Sequence, residues 1–267
     1  MMKLSWIAIS AIACLLALAL EVIAFAGWMR PSTPAIAPNA QAQLGTIPAT
    51  TPAAQVQAAE AAAAPLPVRH EDGYYAQLRA RIRWEETRIG ADKLLTPDAS
   101  SRVLLAKSAA ERAGLQEVGL SFKDVYGIIN AETSWIPRMG ASKDGTPNLG
   151  LAQFEPATAR ALGLRNPNDA VEAIHVAALH MKEAADWSAK RLVGLNLDAG
   201  ERAQKLREGV SIFYNLSTKG RNRWNGKNTA KLPIETQLHI RNARSGAQYA
   251  AELEARQAPS GFMLTGG

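Results

Sequence analysis

Residues 121–137 read SFKDVYGIINAETSWIP, and their spacing decides how the chain folds. Ser121 and Asp124 form a capping-box pattern with Asp in place of the usual Glu, so a helix begins at about Phe122. Val125, Ile128 and Ile129, with Ile136 beyond, recur at three- and four-residue steps and mark one apolar face. Glu132 lies on that face, seven residues after Val125, where the pattern asks for a core residue. Burying a carboxylate costs several kcal/mol unless it is paired or protonated. Burial also raises the carboxyl pKa and keeps a proton available near neutral pH, as a general acid requires. The plainer reading is a helix-end glutamate that faces solvent or pairs with an arginine, and periodicity alone leaves both open.

Outward from this helix the pattern stays helical. Residues 100–113 form a helix closed by Gly114. After a Gly- and Pro-punctuated loop at 140–150, helices follow at about 156–163, 169–192, 199–215 and 235–256. The helix at 169–192 opens on Asp169-Ala-Val-Glu172, a second capping pattern. Upstream, Tyr75, Leu78, Ile82 and Ile89 keep helical spacing until Pro97, so residues 68–97 read as a helical extension. Alternating strand patterns are nearly absent. The fold class is therefore all-α, with at most a short irregular or hairpin segment around 140–154. The main domain covers 98–257, and 258–267 form a flexible tail.

The first 30 residues are a targeting segment. Lys3 precedes the uncharged run LSWIAISAIACLLALAL, then Glu21, then VIAFAGWM. This is either a signal peptide cut after Ala24-Phe25-Ala26 or an uncleaved anchor with Lys3 inside and Arg30 outside. A lipobox at Cys14 is the weaker reading, because most of the apolar run follows the cysteine. Each reading exports the remainder. Residues 31–67 are Pro-, Ala- and Thr-rich with almost no large apolar residue, and form a linker of roughly 35 Å as a flexible coil.

The net charge of +6 and pI near 9.5 suit any polyanion without choosing one. Cys14 is the only cysteine, which leaves the exported part without a disulfide or a thiolate metal site. His70, His175, His180 and His239 lack paired-ligand spacing, so no metal is expected. His175 and His180 lie mid-helix as structural or exposed residues. The basic stretch 219–244 reads as a solvated surface or a contact with an anionic wall or lipid, and export argues against a nucleic-acid partner.

Four motifs stand in order. Ile128-Ile-Asn-Ala-Glu132-Thr-Ser-Trp-Ile-Pro137 is followed by Gly150-Leu-Ala-Gln153-Phe-Glu-Pro156-Ala-Thr158, by Phe213-Tyr214-Asn215, and by Glu235-Thr236 with His239-Ile240-Arg241. Together they resemble the soluble lytic transglycosylase domain, a relative of goose-type lysozyme, over roughly residues 98–250. The resemblance implies a lysozyme-like α-rich fold in the periplasm or cell envelope. It also implies cleavage of the bond between N-acetylmuramic acid and N-acetylglucosamine, with 1,6-anhydro ends and no cofactor. It makes Glu132 the catalytic acid/base and Thr133, Ser142, Gln153, Tyr214 and Asn215 substrate-binding. The implied partners are peptidoglycan strands and a secretion or conjugation complex that needs the wall opened. Thr133 stands where the family usually has Ser. The loop around Ser142 is about two residues longer than the common form. The stretch after Asn215 lacks the family's Ala-Gly-Pro. Two other outcomes stay open: a hydrolase (lysozyme) using Asp144 or Glu155 as second acid, and a glycan-binding assembly protein without catalysis.

Overall fold

The computed structural model describes residues 72–257 apart from Lys143; the targeting segment, the linker and the tail lie outside these residues. Helices make up 64% of the described residues, and the few strands are short, so the chain is helix-rich. In order come α1 (Asp72–Arg81), the hairpin β1 (Trp84–Ile89) and β2 (Asp92–Pro97), α2 (Ala99–Ala113) and α3 (Phe122–Thr133). The short pair β3 (Gly140–Ala141) and β4 (Pro147–Asn148) follows. The remainder is α4 (Pro156–Ala161), α5 (Ala170–Leu192), α6 (Ala199–Asn215), α7 (Thr218–Arg221) and α8 (Ile234–Gln257). None of the described helices is long and apolar enough to cross a membrane.

The extension differs from its reading as helix throughout. It is helical to Arg81 and then turns into an antiparallel hairpin, with Ile89 paired to Asp92 and Trp84 to Pro97. Gly90 supplies the positive φ, +58°, of the two-residue turn, a conformation that disfavours other residues. The extension packs on the rest of the protein. Tyr75 and Leu78 are buried, and the Thr96 hydroxyl donates to the Trp135 carbonyl just after α3.

The helix ends follow local chemistry. Ser121 and Asp124 form the capping box of α3, and Asp198 and Glu201 form that of α6. Asp169 caps α5 through the N–H groups of Val171 and Glu172. Glu172 does not complete a box there. It accepts instead from the N–H groups of Arg165 and Asn166. Gly114 ends α2 in the left-handed conformation.

The core sits where α2, α3, α5 and α8 meet, around Leu105, Val125, Ile129, Ile174 and Met181. Each such side chain contributes about 1.5–3 kcal/mol by leaving water. Helices α3 and α8 pack closely. A β-carbon on Gly127 would strike the Ala243 carbonyl, and one on Gly246 would lie 2.6 Å from the Asn130 Cβ. Asn130 Nδ2 also donates to the Asn242 carbonyl at 3.2 Å. These two glycines let α8 lie against α3 and bring its first turns beside the last turn of α3.

Candidate active site

Glu132 occupies the last turn of α3. Its side chain is 16% exposed, so the apolar stripe did carry the carboxyl largely out of water. Beyond it the chain leaves the helix sharply, with Ser134 at φ 53° and Trp135 at φ 66°. Trp135 is fully buried against Tyr126 and donates its indole N–H to the Tyr126 carbonyl, a core role. An exposed arginine, Arg138, donates to the backbone carbonyl of Glu132 at 3.1 Å.

The partner of the Glu132 carboxyl is a histidine. His239 Nε2 lies 2.8 Å from Glu132 Oε1, and the His239 side chain is 5% exposed. The other ring nitrogen, Nδ1, is buried with no hydrogen-bond partner. One turn earlier on α8, the buried Thr236 hydroxyl donates to Asn215 Oδ1 at 2.7 Å, which pins the start of α8 to the end of α6.

Tyr214 comes from the last turn of α6. Its hydroxyl oxygen is buried and without a hydrogen-bond partner, so it is not bonded to the Glu132 carboxyl. Burial first, and the Glu132 charge second, hold this hydroxyl well above the usual tyrosine pKa, so it remains protonated. Phe154 and His180 pack around its ring at 5.9 and 5.3 Å between centroids.

The remaining expected residues do other work. Thr133 is 1% exposed, and its hydroxyl faces the carbonyls of Ile129 and Leu151, at 3.3 and 3.0 Å. It anchors the Gly150–Gln153 turn behind Glu132 and has no surface for a ligand, which corrects its assignment to substrate. Gln153, at φ 51°, donates its amide to the carbonyls of Arg138 and Gly150, both at 2.8 Å. It thereby closes the loop between them. The Ser142 hydroxyl donates to Glu155 Oε1 at 2.5 Å, and Asn215 is the helix pin already described. The Tyr214 hydroxyl thus lies within the field of the Glu132 charge, while Thr133 and Gln153 hold the surrounding backbone and Ser142 and Asn215 bond neighbouring side chains.

Neither candidate second acid is the group that Glu132 touches. Asp144 is exposed and turns onto its own loop, where the Thr146 N–H holds its carboxyl below the usual range. Glu155 is engaged by Ser142. Among the described residues, no three His, Cys, Asp or Glu side chains converge as a metal site.

A cavity of about 460 Å³ lies between α3, α5, α6 and α8, floored by Ile128, Met181, Val210 and Ile240. It contains none of Glu132, Tyr214 and His239, and its acids are paired, Asp124 with Arg207 and Glu208 with Lys205. The chemistry lies with the titratable cluster rather than with this volume.

Sequence reasoning missed His239 as a site residue. The signal was present: the buried positions of α8 are Thr236, His239, Gly246, Ala250 and Leu253. A titratable ring on that stripe carries the same message as Glu132 does on α3. No protein-family model, curated protein or solved structure matches the chain.

Proposed function

We propose that the chain is a lytic transglycosylase of lysozyme-like fold that cleaves the bond between N-acetylmuramic acid and N-acetylglucosamine in peptidoglycan. The observation that carries this reading is Glu132 itself, a largely buried carboxyl at a helix end whose bonded partner is a histidine and not a second acid. Common glycosidases work with two carboxylates, about 5–5.5 Å or about 6.5–9.5 Å apart. A transglycosylase needs one.

In this mechanism Glu132 gives its proton to the bridging oxygen as the C1–O bond breaks. The carboxylate so formed takes the proton of the muramic acid's C6 hydroxyl as that oxygen closes on C1, which leaves a 1,6-anhydro end. The nucleophile belongs to the ring under attack. Well-oriented intramolecular groups reach effective molarities of about 10⁵–10⁸ M, which lets it outcompete water. Tyr214 supplies a protonated hydroxyl near the carboxyl with no other bond to make. The chemistry draws on the substrate's own nucleophile and needs no cofactor. On this reading the activity belongs to the cell envelope, with residues 1–30 acting as signal or anchor. It fits remodelling of the wall or service to a secretion or conjugation complex.

Mass spectrometry of digested sacculi tests the reading. Anhydro ends from the wild-type chain, with none from a folded Glu132→Gln variant, are expected. Reducing ends would instead identify a hydrolase, and binding without cleavage a glycan-holding assembly protein.

A further inference from the structure

We infer that His239 is the positioning residue of Glu132. It donates from Nε2 to Oε1 and thereby keeps the transferable proton on Oε2, the oxygen left for the sugar. This rests on the transglycosylase reading above, but its central measurement does not.

The argument starts from what each atom is bonded to. His239 Nε2 and Glu132 Oε1 are 2.8 Å apart, so a proton lies between them. Two arrangements supply it. With the ring proton on Nε2, the histidine donates and Oε1 accepts, whether or not Oε2 is protonated. With the ring proton on Nδ1, Nε2 becomes an acceptor, and the acid's proton is drawn onto Oε1, toward the buried ring. The buried Nδ1 decides between them. It has no partner, so a proton there would be an orphaned donor, as it would be in the doubly protonated ring. Buried N–H groups without an acceptor are rarer than acceptors left unused. The Nε2–H tautomer leaves only a bare lone pair at Nδ1.

That tautomer serves both halves of the cycle. Before cleavage, Glu132 carries its proton on Oε2 and Oε1 accepts from His239. The proton passes to the glycosidic oxygen, which also keeps the electron pair of the broken C1–O bond. The carboxylate retains the same Nε2–H bond on Oε1, and Oε2 takes the C6 hydroxyl proton as the new C1–O bond forms. His239 neither gains nor loses a proton. Its orientation is set by the α3–α8 contact at Gly127 and Gly246 and by the Thr236–Asn215 bond one turn away.

Long-range ¹H–¹⁵N spectra of the ¹⁵N-labelled full chain, with His239 assigned by its absence in His239→Gln, read the tautomer directly. A ring protonated on Nε2 alone is expected; protonation on Nδ1, or on both nitrogens, overturns the inference whatever the chain's activity. In turnover on uncrosslinked glycan strands, His239→Ala is expected to lower kcat about 10²-fold with KM within about twofold. Added imidazole should restore at least about tenfold of that loss, and His239→Gln, which keeps an N–H donor, should exceed the alanine variant. A folded His239→Ala enzyme with kcat within about threefold of wild type refutes the role. Wild-type chain that makes no anhydro ends removes the proposed function and leaves the tautomer measurement to judge His239.

Discussion

Lowering the pH should unlatch α1 through one buried ring, His175. Its Nδ1 lies 2.7 Å from the Val171 carbonyl, an acceptor only, so Nδ1 carries the proton. Nε2 must then accept from the Ser108 hydroxyl at 2.9 Å, and Ser108 in turn accepts from the Tyr74 hydroxyl at 2.6 Å. The line of bonds joins α1, α2 and α5, and works only while the ring is neutral. Burial, and secondarily the Arg112 charge, bring the His175 pKa from 6.5 down to about 4, against the Val171 bond that raises it. In the unfolded chain the ring returns to about 6.5. The folded pKa is therefore the lower one, and falling pH favours the unfolded chain. Stability from this group is complete above about pH 6.5, is lost as pH falls toward 4, and changes no further below. A shift of that size, at 1.36 kcal/mol per unit, amounts to about 3 kcal/mol. Urea unfolding at pH 7.5, 5.5 and 4.0 measures it on wild type and on His175→Phe, which keeps a ring beside Tyr75. Carboxylates titrate in both proteins, so only the difference between them counts. That difference should shrink by about 3 kcal/mol between pH 7.5 and 4.0. Parallel profiles would falsify the account.

Two further outcomes follow from contacts already described. Gly246→Ala places a methyl 2.6 Å from Asn130 Cβ and 3.0 Å from Gly127 Cα, neither of which is free to move aside. It should destabilise the fold by about 1–3 kcal/mol in thermal unfolding. It should also lower glycan turnover at temperatures where the variant is fully folded, because the displaced helix carries His239; an unchanged Tm counts against the close-packed crossing. Tyr214→Phe removes a hydroxyl that has no bond to lose, so unfolding should move by no more than about 0.5 kcal/mol while kcat falls by about tenfold, one hydrogen bond's worth. Loss of stability with unchanged kcat would make Tyr214 a packing residue.

Where one face of an element meets the core, the sequence carried the answer. Val125, Ile128 and Ile129 mark the buried side of α3, and Ser121 with Asp124 marks its start. The ends of α5 and α6 fall within a residue of their sequence reading for the same reason, with capping residues Asp169 and Asp198. The β1–β2 hairpin was not legible, since Tyr75, Leu78 and Ile82 set a helical period that Ile89 continues by coincidence. Leu94 and Leu95 are adjacent rather than alternating, and only Gly90 announces the turn. In the site, Glu132 was legible because it sits where a core residue is expected, whereas Tyr214 entered only through the resemblance. Thr133, Ser142, Gln153 and Asn215 were read as ligand groups, yet their polar atoms face backbone or neighbouring side chains. Residue type and order place a side chain near a site, but whether its donors are already taken depends on carbonyls supplied by distant segments.

His239 shows why that distinction matters for mechanism. A carboxyl 16% exposed needs a partner, and the identity of the partner fixes what the carboxyl does next. An arginine in that place would hold Glu132 as a permanent carboxylate, a poor acid. A second carboxylate would share its proton and recruit a water, the arrangement of a hydrolase. An Nε2–H group occupies one oxygen without demanding a charge and leaves the other free to give a proton and take one back. The geometry that delivers this histidine is remote from chemistry: two glycines at a helix crossing and one threonine hydroxyl on the asparagine that ends α6. The single-acid reading of Glu132 therefore depends as much on the packing of α8 as on α3. A substitution that shifts α8 along α3 should impair turnover before it unfolds the protein.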